Sequence, residues 1–107
     1  MKLTEQKCEA CEGGVIPLSY TEATILAKQI PDWDVAADAG RISRRYTCKN
    51  FKEALAFINR VGELAESEGH HPDIHLTQFK FVTIELSTHA IGGLSNNDFI
   101  LAAKIDA

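Results

Sequence analysis

Residues 66–98 read ESEGHHPDIHLTQFKFVTIELSTHAIGGLSNND, and the reading of this stretch decides the fold. Gly69 follows a helical run and is placed to take the left-handed conformation that closes a helix. Pro72 prevents that helix from continuing and biases His71 towards extended geometry. His70 and His71 therefore stand just beyond a helix end. A long strand is expected from about Leu76 to Thr88, with Val82, Ile84 and Leu86 on one face and Thr83, Glu85, Ser87 and His89 on the other. Phe79 and Phe81 fall on the second parity, which a bulge or register change near Lys80 would resolve. Ile91-Gly92-Gly93-Leu94 reads as a loop, and Ser95 with Asp98 caps a last helix running through Ile105. In that helix Asp98, Leu101, Ala102 and Ile105 share a stripe, so a carboxylate begins the apolar face at the positive end of the dipole.

Working outward, Ser19 and Glu22 have the spacing of a capping box, and Ala23, Leu26, Ala27 and Ile30 follow at helical intervals until Pro31. Trp33–Ala37 and Ile42–Cys48 read as strands around Asp38-Ala39-Gly40, where Gly40 is expected to supply the positive φ of a short hairpin. Asn50 opens the longest helix, with Glu53 completing its cap. Its apolar positions form two rows: Phe51, Leu55, Ile58 and Ala65 beside Ala54, Phe57, Val61 and Leu64. That stripe is wider than one small sheet requires, so either another subunit covers part of it or the helix lies deep in the domain. The order is helix, strand, strand, helix, strand or strand pair, helix. It predicts an α+β two-layer domain, with a four-stranded antiparallel sheet and three helices on one face.

With 107 residues the chain is long enough for one domain and too short for two. Residues 15–107 are expected to form it, preceded by a flexible tail over 1–14. Hydrophobic residues make up 45% and charged residues 24%, ordinary for a globular protein. A formal net charge of −4 argues against a nucleic-acid partner, and the only basic cluster, Arg41, Arg44 and Arg45, is expected on a solvated strand. No apolar run reaches the roughly 20 residues that span a bilayer, and no secretory signal is evident. A cytoplasmic location without membrane partners is the expectation. Three cysteines, Cys8, Cys11 and Cys48, do not make a disulfide framework. Cys8-Glu-Ala-Cys11 has C-x-x-C spacing, but no second pair completes a zinc site and no strand-to-helix junction makes it a redox site.

The residues equipped for chemistry gather in the quoted stretch. Imidazole is the side chain best suited to moving protons near neutral pH, and His70, His71 and His89 lie where a helix end and a strand end can converge in a cleft. Glu66, about one turn before His70, can accept from that ring and set its tautomer. His75 reads as a strand residue with a hydrogen-bonded ring. There is no phosphate loop, nucleophile elbow or dinucleotide fingerprint. A metal site built from His70, His71, His75 and His89 is disfavoured because Pro72 breaks the helical spacing that would align His71 with His75.

The arrangement Glu66-x-x-x-His70-His71-Pro72, then Phe79, then Ser87-Thr88-His89, then Asp98 resembles the pterin-4a-carbinolamine dehydratases. Trp33 after Pro31, the helix from Phe51 to Leu64, and the ending Gly93-Leu94 through Asp98-Phe99-Ile100-Leu101-Ala102 are similar to that family too. The resemblance covers roughly Gly14 to Asp106. It implies an enzyme without cofactor or metal that removes water from 4a-hydroxytetrahydrobiopterin, leaving quinonoid dihydropterin, in tetrahydrobiopterin recycling. It also implies His70 and His89 as acid and base, His71 as the residue that positions the pterin, and Asp98 in support. The substrate-lining residues would be Glu66, Gly69, His70, His71, Ser87, Thr88, His89 and Ala90. A homo-oligomer, dimer or tetramer, is implied as well. Ile74 and Phe79 depart from the family's common aromatic choices, as does the length of the stretch before His89. Some members act as dimerisation partners of a transcription factor or in assembly, so a non-catalytic binding module is the alternative.

Overall fold

The computed structural model describes residues 2–9 and 15–107. Helix α1 (Tyr20–Ala27) starts where the serine cap predicts: the Ser19 side chain accepts from the Glu22 N–H, and Glu22 accepts from the Ser19 N–H. Strands β1 (Asp34–Val35) and β2 (Ile42–Thr47) form the first antiparallel pair. Between them the positive φ falls on Ala39, not on the expected Gly40. The need for glycine at position 40 is steric instead. Its N–H donates to Asp38 Oδ1 at 2.8 Å, so close that a Cβ would lie 2.9 Å from that oxygen.

Helix α2 (Phe51–Glu68) is capped by Asn50, whose side chain accepts from the Glu53 N–H. At its far end Gly69 takes φ +67°, and the N–H groups of Gly69 and His70 reach the carbonyls of Glu66 and Ala65. This is a paired Schellman closure, and it throws His70 out of the helix in a fixed direction.

The stretch expected as one long strand is two. Strands β3 (Asp73–Thr77) and β4 (Phe81–Leu86) pair antiparallel, from Asp73 opposite Glu85 to Thr77 opposite Phe81. Gln78 and Phe79 both have positive φ, as in a type I′ turn. A chain reversal, rather than a bulge near Lys80, is therefore what relieves the parity conflict. The signal was absent because such turns usually announce themselves with Asn-Gly, not with Gln-Phe. Helix α3 (Asn96–Asp106) completes the fold, and the sheet order is β1-β2-β4-β3.

Burial alternates along β4, where Val82, Ile84 and Leu86 are fully buried against the helices. Helix α3 is enclosed almost all round, with Phe99, Leu101 and Ala102 inaccessible. Burying a side chain of the Leu or Phe size contributes about 1.5–3 kcal/mol, so these positions hold α3 in the core, while the Ser95 cap sets where it begins. Arg44 departs from the expected solvated strand. It shares the inward face of β2 and pairs with Asp106 at 3.0 Å, beside Trp33 Nε1, which donates to the same carboxylate at 2.8 Å. Tyr46 also donates to Asp106, and burial first, then this carboxylate, pushes the phenol above its ordinary value.

The first half of the expected tail is likewise packed. A single 3₁₀ turn, Leu3–Glu5, lies against α3, and Leu3 belongs to the core. Cys8 follows, its N–H donating to Glu68 Oε1 at 2.9 Å. Burial and then Glu68 push its thiol up to about 12, which makes it a poor nucleophile. Cys11, the other half of the C-x-x-C spacing, lies outside the described residues.

Candidate active site

The left-handed turn at Gly69 carries His70 across to the start of α3. There its Nε2 lies 2.6 Å from Asp98 Oδ1. Asp98 is wholly buried, and its second oxygen accepts from the Thr88 hydroxyl at 2.9 Å and the Ser95 N–H at 3.0 Å. Thr88 Oγ1 also lies 2.7 Å from Ser95 Oγ. The carboxyl that begins the apolar stripe is thus a hub joining the end of α2, the segment after β4 and the first turn of α3. Because a carboxylate accepts, the hydrogen on His70 belongs to Nε2, and Nδ1 is the unprotonated nitrogen of the neutral ring.

Glu66, expected to orient His70, bonds His71 Nε2 instead. The reason is the direction of the turn: beyond Gly69 the chain leads His70 towards α3 and brings His71 back over the last turn of α2. Both members of that second pair are largely exposed, at 64% and 77%. His75 pairs with Glu85 across the β3–β4 ladder at 2.8 Å, which removes it from the constellation. His89 does not end a strand. It starts a 3₁₀ turn, His89–Ile91, closed by Gly92 at φ +68°, while Thr88 bridges to Gly93.

These segments enclose an open cleft of about 250 Å³. Gly69, His70, His71, Ser87, Thr88, His89 and Ala90 line it, together with Glu9 and Asn97. Glu66 lies outside. Pockets for drug-sized ligands are typically about 300–1,000 Å³, so this one suits a small molecule. Among the described residues no three His, Cys, Asp or Glu side chains converge as metal ligands. Sequence reasoning missed Glu9 and Asn97, and no spacing could have revealed them, since they are 88 positions apart and meet only in three dimensions.

Fold and cleft together define a small α+β domain that presents imidazoles, one of them braced by a buried carboxyl, to a compact ligand. The family model described as Pterin 4 alpha carbinolamine dehydratase matches residues 16–107, and the chain belongs to that family. A relative from Halorhodospira halophila (strain DSM 244 / SL1), provisionally named pterin-4-alpha-carbinolamine dehydratase, is 48% identical over 107 residues, covering 100% of this chain and 97% of that protein. One from Syntrophotalea carbinolica (strain DSM 2380 / NBRC 103641 / GraBd1), with the same provisional name, is 49% identical over 108 residues, covering 99% and 96%. Among solved structures, a transcriptional coactivator/pterin dehydratase from Brucella melitensis shares the fold with a TM-score of 0.77 at 24% identity, over 84% of this chain and 95% of that one. A pterin dehydratase-like protein identified as a RuBisCO assembly factor in the alpha-carboxysome aligns with a TM-score of 0.59 at 22% identity, over 70% and 86%.

Proposed function

We propose that this protein dehydrates 4a-hydroxytetrahydropterin to quinonoid dihydropterin and water. The observation that carries the reading is His70, held by buried Asp98 on the wall of a cleft that His71 and His89 also line. The reaction breaks the C4a–O bond and removes the proton from N5. The departing oxygen takes a proton from an acid and leaves as water, while the N5 electron pair forms the C4a=N5 bond. His70 suits the base: its Nδ1 is open to accept, and Asp98 stabilises the imidazolium that results. His89 suits the acid, and His71, fixed by Glu66, holds the ring. Ser87, Thr88, Ala90 and Gly69 complete the walls, with Glu66 acting on the substrate only through His71.

The test is stopped-flow dehydration of synthetic 4a-hydroxytetrahydropterin. Wild type should exceed the buffer rate from pH 6 to 9. His70→Ala and His89→Ala should each slow the chemical step by about 100- to 10,000-fold, the usual worth of general acid–base assistance. Folded variants that kept wild-type turnover would refute these roles. A wild type with no rate above buffer would instead favour a binding module, a reading consistent with the coactivator and assembly roles ascribed to the two structural neighbours.

A further inference from the structure

We infer that Glu9, carried by the N-terminal segment, reads the amino-pyrimidine edge of the ligand. The assignment rests on a pterin being what the cleft holds. A pterin presents its N3–H and 2-amino groups side by side, a donor pair that a single carboxylate accepts with both oxygens, as it does a guanidinium. Of the carboxyl groups near the cleft, two are already engaged and lie outside its lining. Asp98 holds His70, Thr88 and Ser95, and Glu66 holds His71. Among the described residues lining the cleft, Glu9 is the one carboxylate.

Its position is fixed through the backbone, leaving the side chain uncommitted. The Glu9 N–H donates to Asn97 Oδ1 at 2.9 Å, and Asn97 Nδ2 donates to the Glu9 carbonyl at 2.5 Å. One residue earlier, the Cys8 N–H is held by Glu68, itself paired with Lys104 at 2.8 Å. Among the described residues no donor meets the Glu9 carboxylate. A segment anchored to α2 and α3 by its main chain thus delivers an unpaired acceptor to a cleft whose other polar side chains are imidazoles, hydroxyls and the Asn97 amide that holds the segment. The acid–base groups and the recognition group then come from the two halves of the chain.

Fluorescence titration with oxidised pterin and with lumazine, which carries oxygen in place of the 2-amino group, tests this in wild type and Glu9→Gln. Wild type should bind pterin more tightly than lumazine. Glu9→Gln should weaken pterin binding by about 10- to 100-fold, the worth of a hydrogen bond to a charged group, and should abolish the preference. In turnover the loss should appear in KM rather than in kcat. Pterin binding unchanged by Glu9→Gln, a preference that survives it, or no pterin binding by wild type overturns the assignment. Glu9-dependent binding in a protein without turnover upholds it and removes the dehydratase reading alone.

Discussion

A single buried carboxyl does most to organise the site. Asp98 accepts from His70, Thr88 and the Ser95 main chain, and it also occupies the first turn of α3, where the helix dipole favours negative charge. The stripe that starts with this residue was legible in the sequence. Its partner was not. The four-residue spacing of Glu66 and His70 pointed to the wrong carboxylate, because spacing speaks only within an element and the left-handed Gly69 redirects the chain. Replacing Asp98 by Ala should therefore do two things at once. It removes the acceptor of three buried or part-buried donors, on His70, Thr88 and Ser95, and an unsatisfied buried donor costs about 1–3 kcal/mol, so the melting temperature should fall by several degrees or more. It also frees the His70 tautomer, so turnover should drop even at temperatures where the variant is folded. Calorimetry and single-turnover rates on one preparation separate the two effects, and unchanged stability would contradict the hub assigned to Asp98.

Among the elements, the helix caps matched their expectations, whereas the hairpin φ expected of Gly40 falls on Ala39, and α1 ends at Ala27 and tightens to i→i−3 bonds through Ile30 before Pro31. Ser19, Asn50, Gly69 and Ser95 mark helix ends because capping is chemistry between near neighbours in sequence. The β3–β4 hairpin was hidden because its turn uses Gln78 and Phe79, and the N-terminal segment because its contacts lie across the whole chain. That segment has its own pH signature. Burial alone raises the Glu68 carboxyl, but Lys104 and the Cys8 N–H outweigh it, and the group ends below its ordinary value. A depressed folded pKa means stability that is complete above the unfolded glutamate value of about 4.3 and is lost as the pH falls through the folded one. Wild type should thus exceed Glu68→Gln in stability at pH 7, and the gap should close under acid. Hydrogen exchange at the Cys8 amide, followed downward from pH 7, should show protection vanishing in step. A gap independent of pH would mean that the ion pair does not hold the segment.

At the scale of the molecule, one surface remains unexplained by the fold itself. The single domain buries Ala54, Val61 and Ala65 of α2 against the sheet and α3, residues drawn from both of its apolar rows. The row of Phe51, Leu55, Ile58 and Ala65 is uncovered only at its N-terminal end: Phe51 is 49% exposed and Leu55 42%, while Ile58 and Ala65 pack against the core. The sequence offered two explanations for so wide a stripe, and a helix buried deep within its own domain is not the one realised. An uncovered aromatic–aliphatic pair at the start of an 18-residue helix is the kind of surface that pairs with a copy of itself, since two-fold contacts need only one self-complementary patch. We therefore expect a homo-oligomer, dimer or tetramer, assembled through α2. Light scattering at micromolar concentration should give a multiple of the 11.8 kDa chain mass. Leu55→Glu, which places a charge in this exposed pair without touching the buried Ala54, Val61 or Ala65, should shift the protein to monomer with little change in secondary structure. Phe51 and Leu55 lie at the opposite end of α2 from His70, so a folded monomer should retain pterin binding. A wild type that scatters as a monomer, or a Leu55→Glu variant that still assembles, would show that this pair is not the interface.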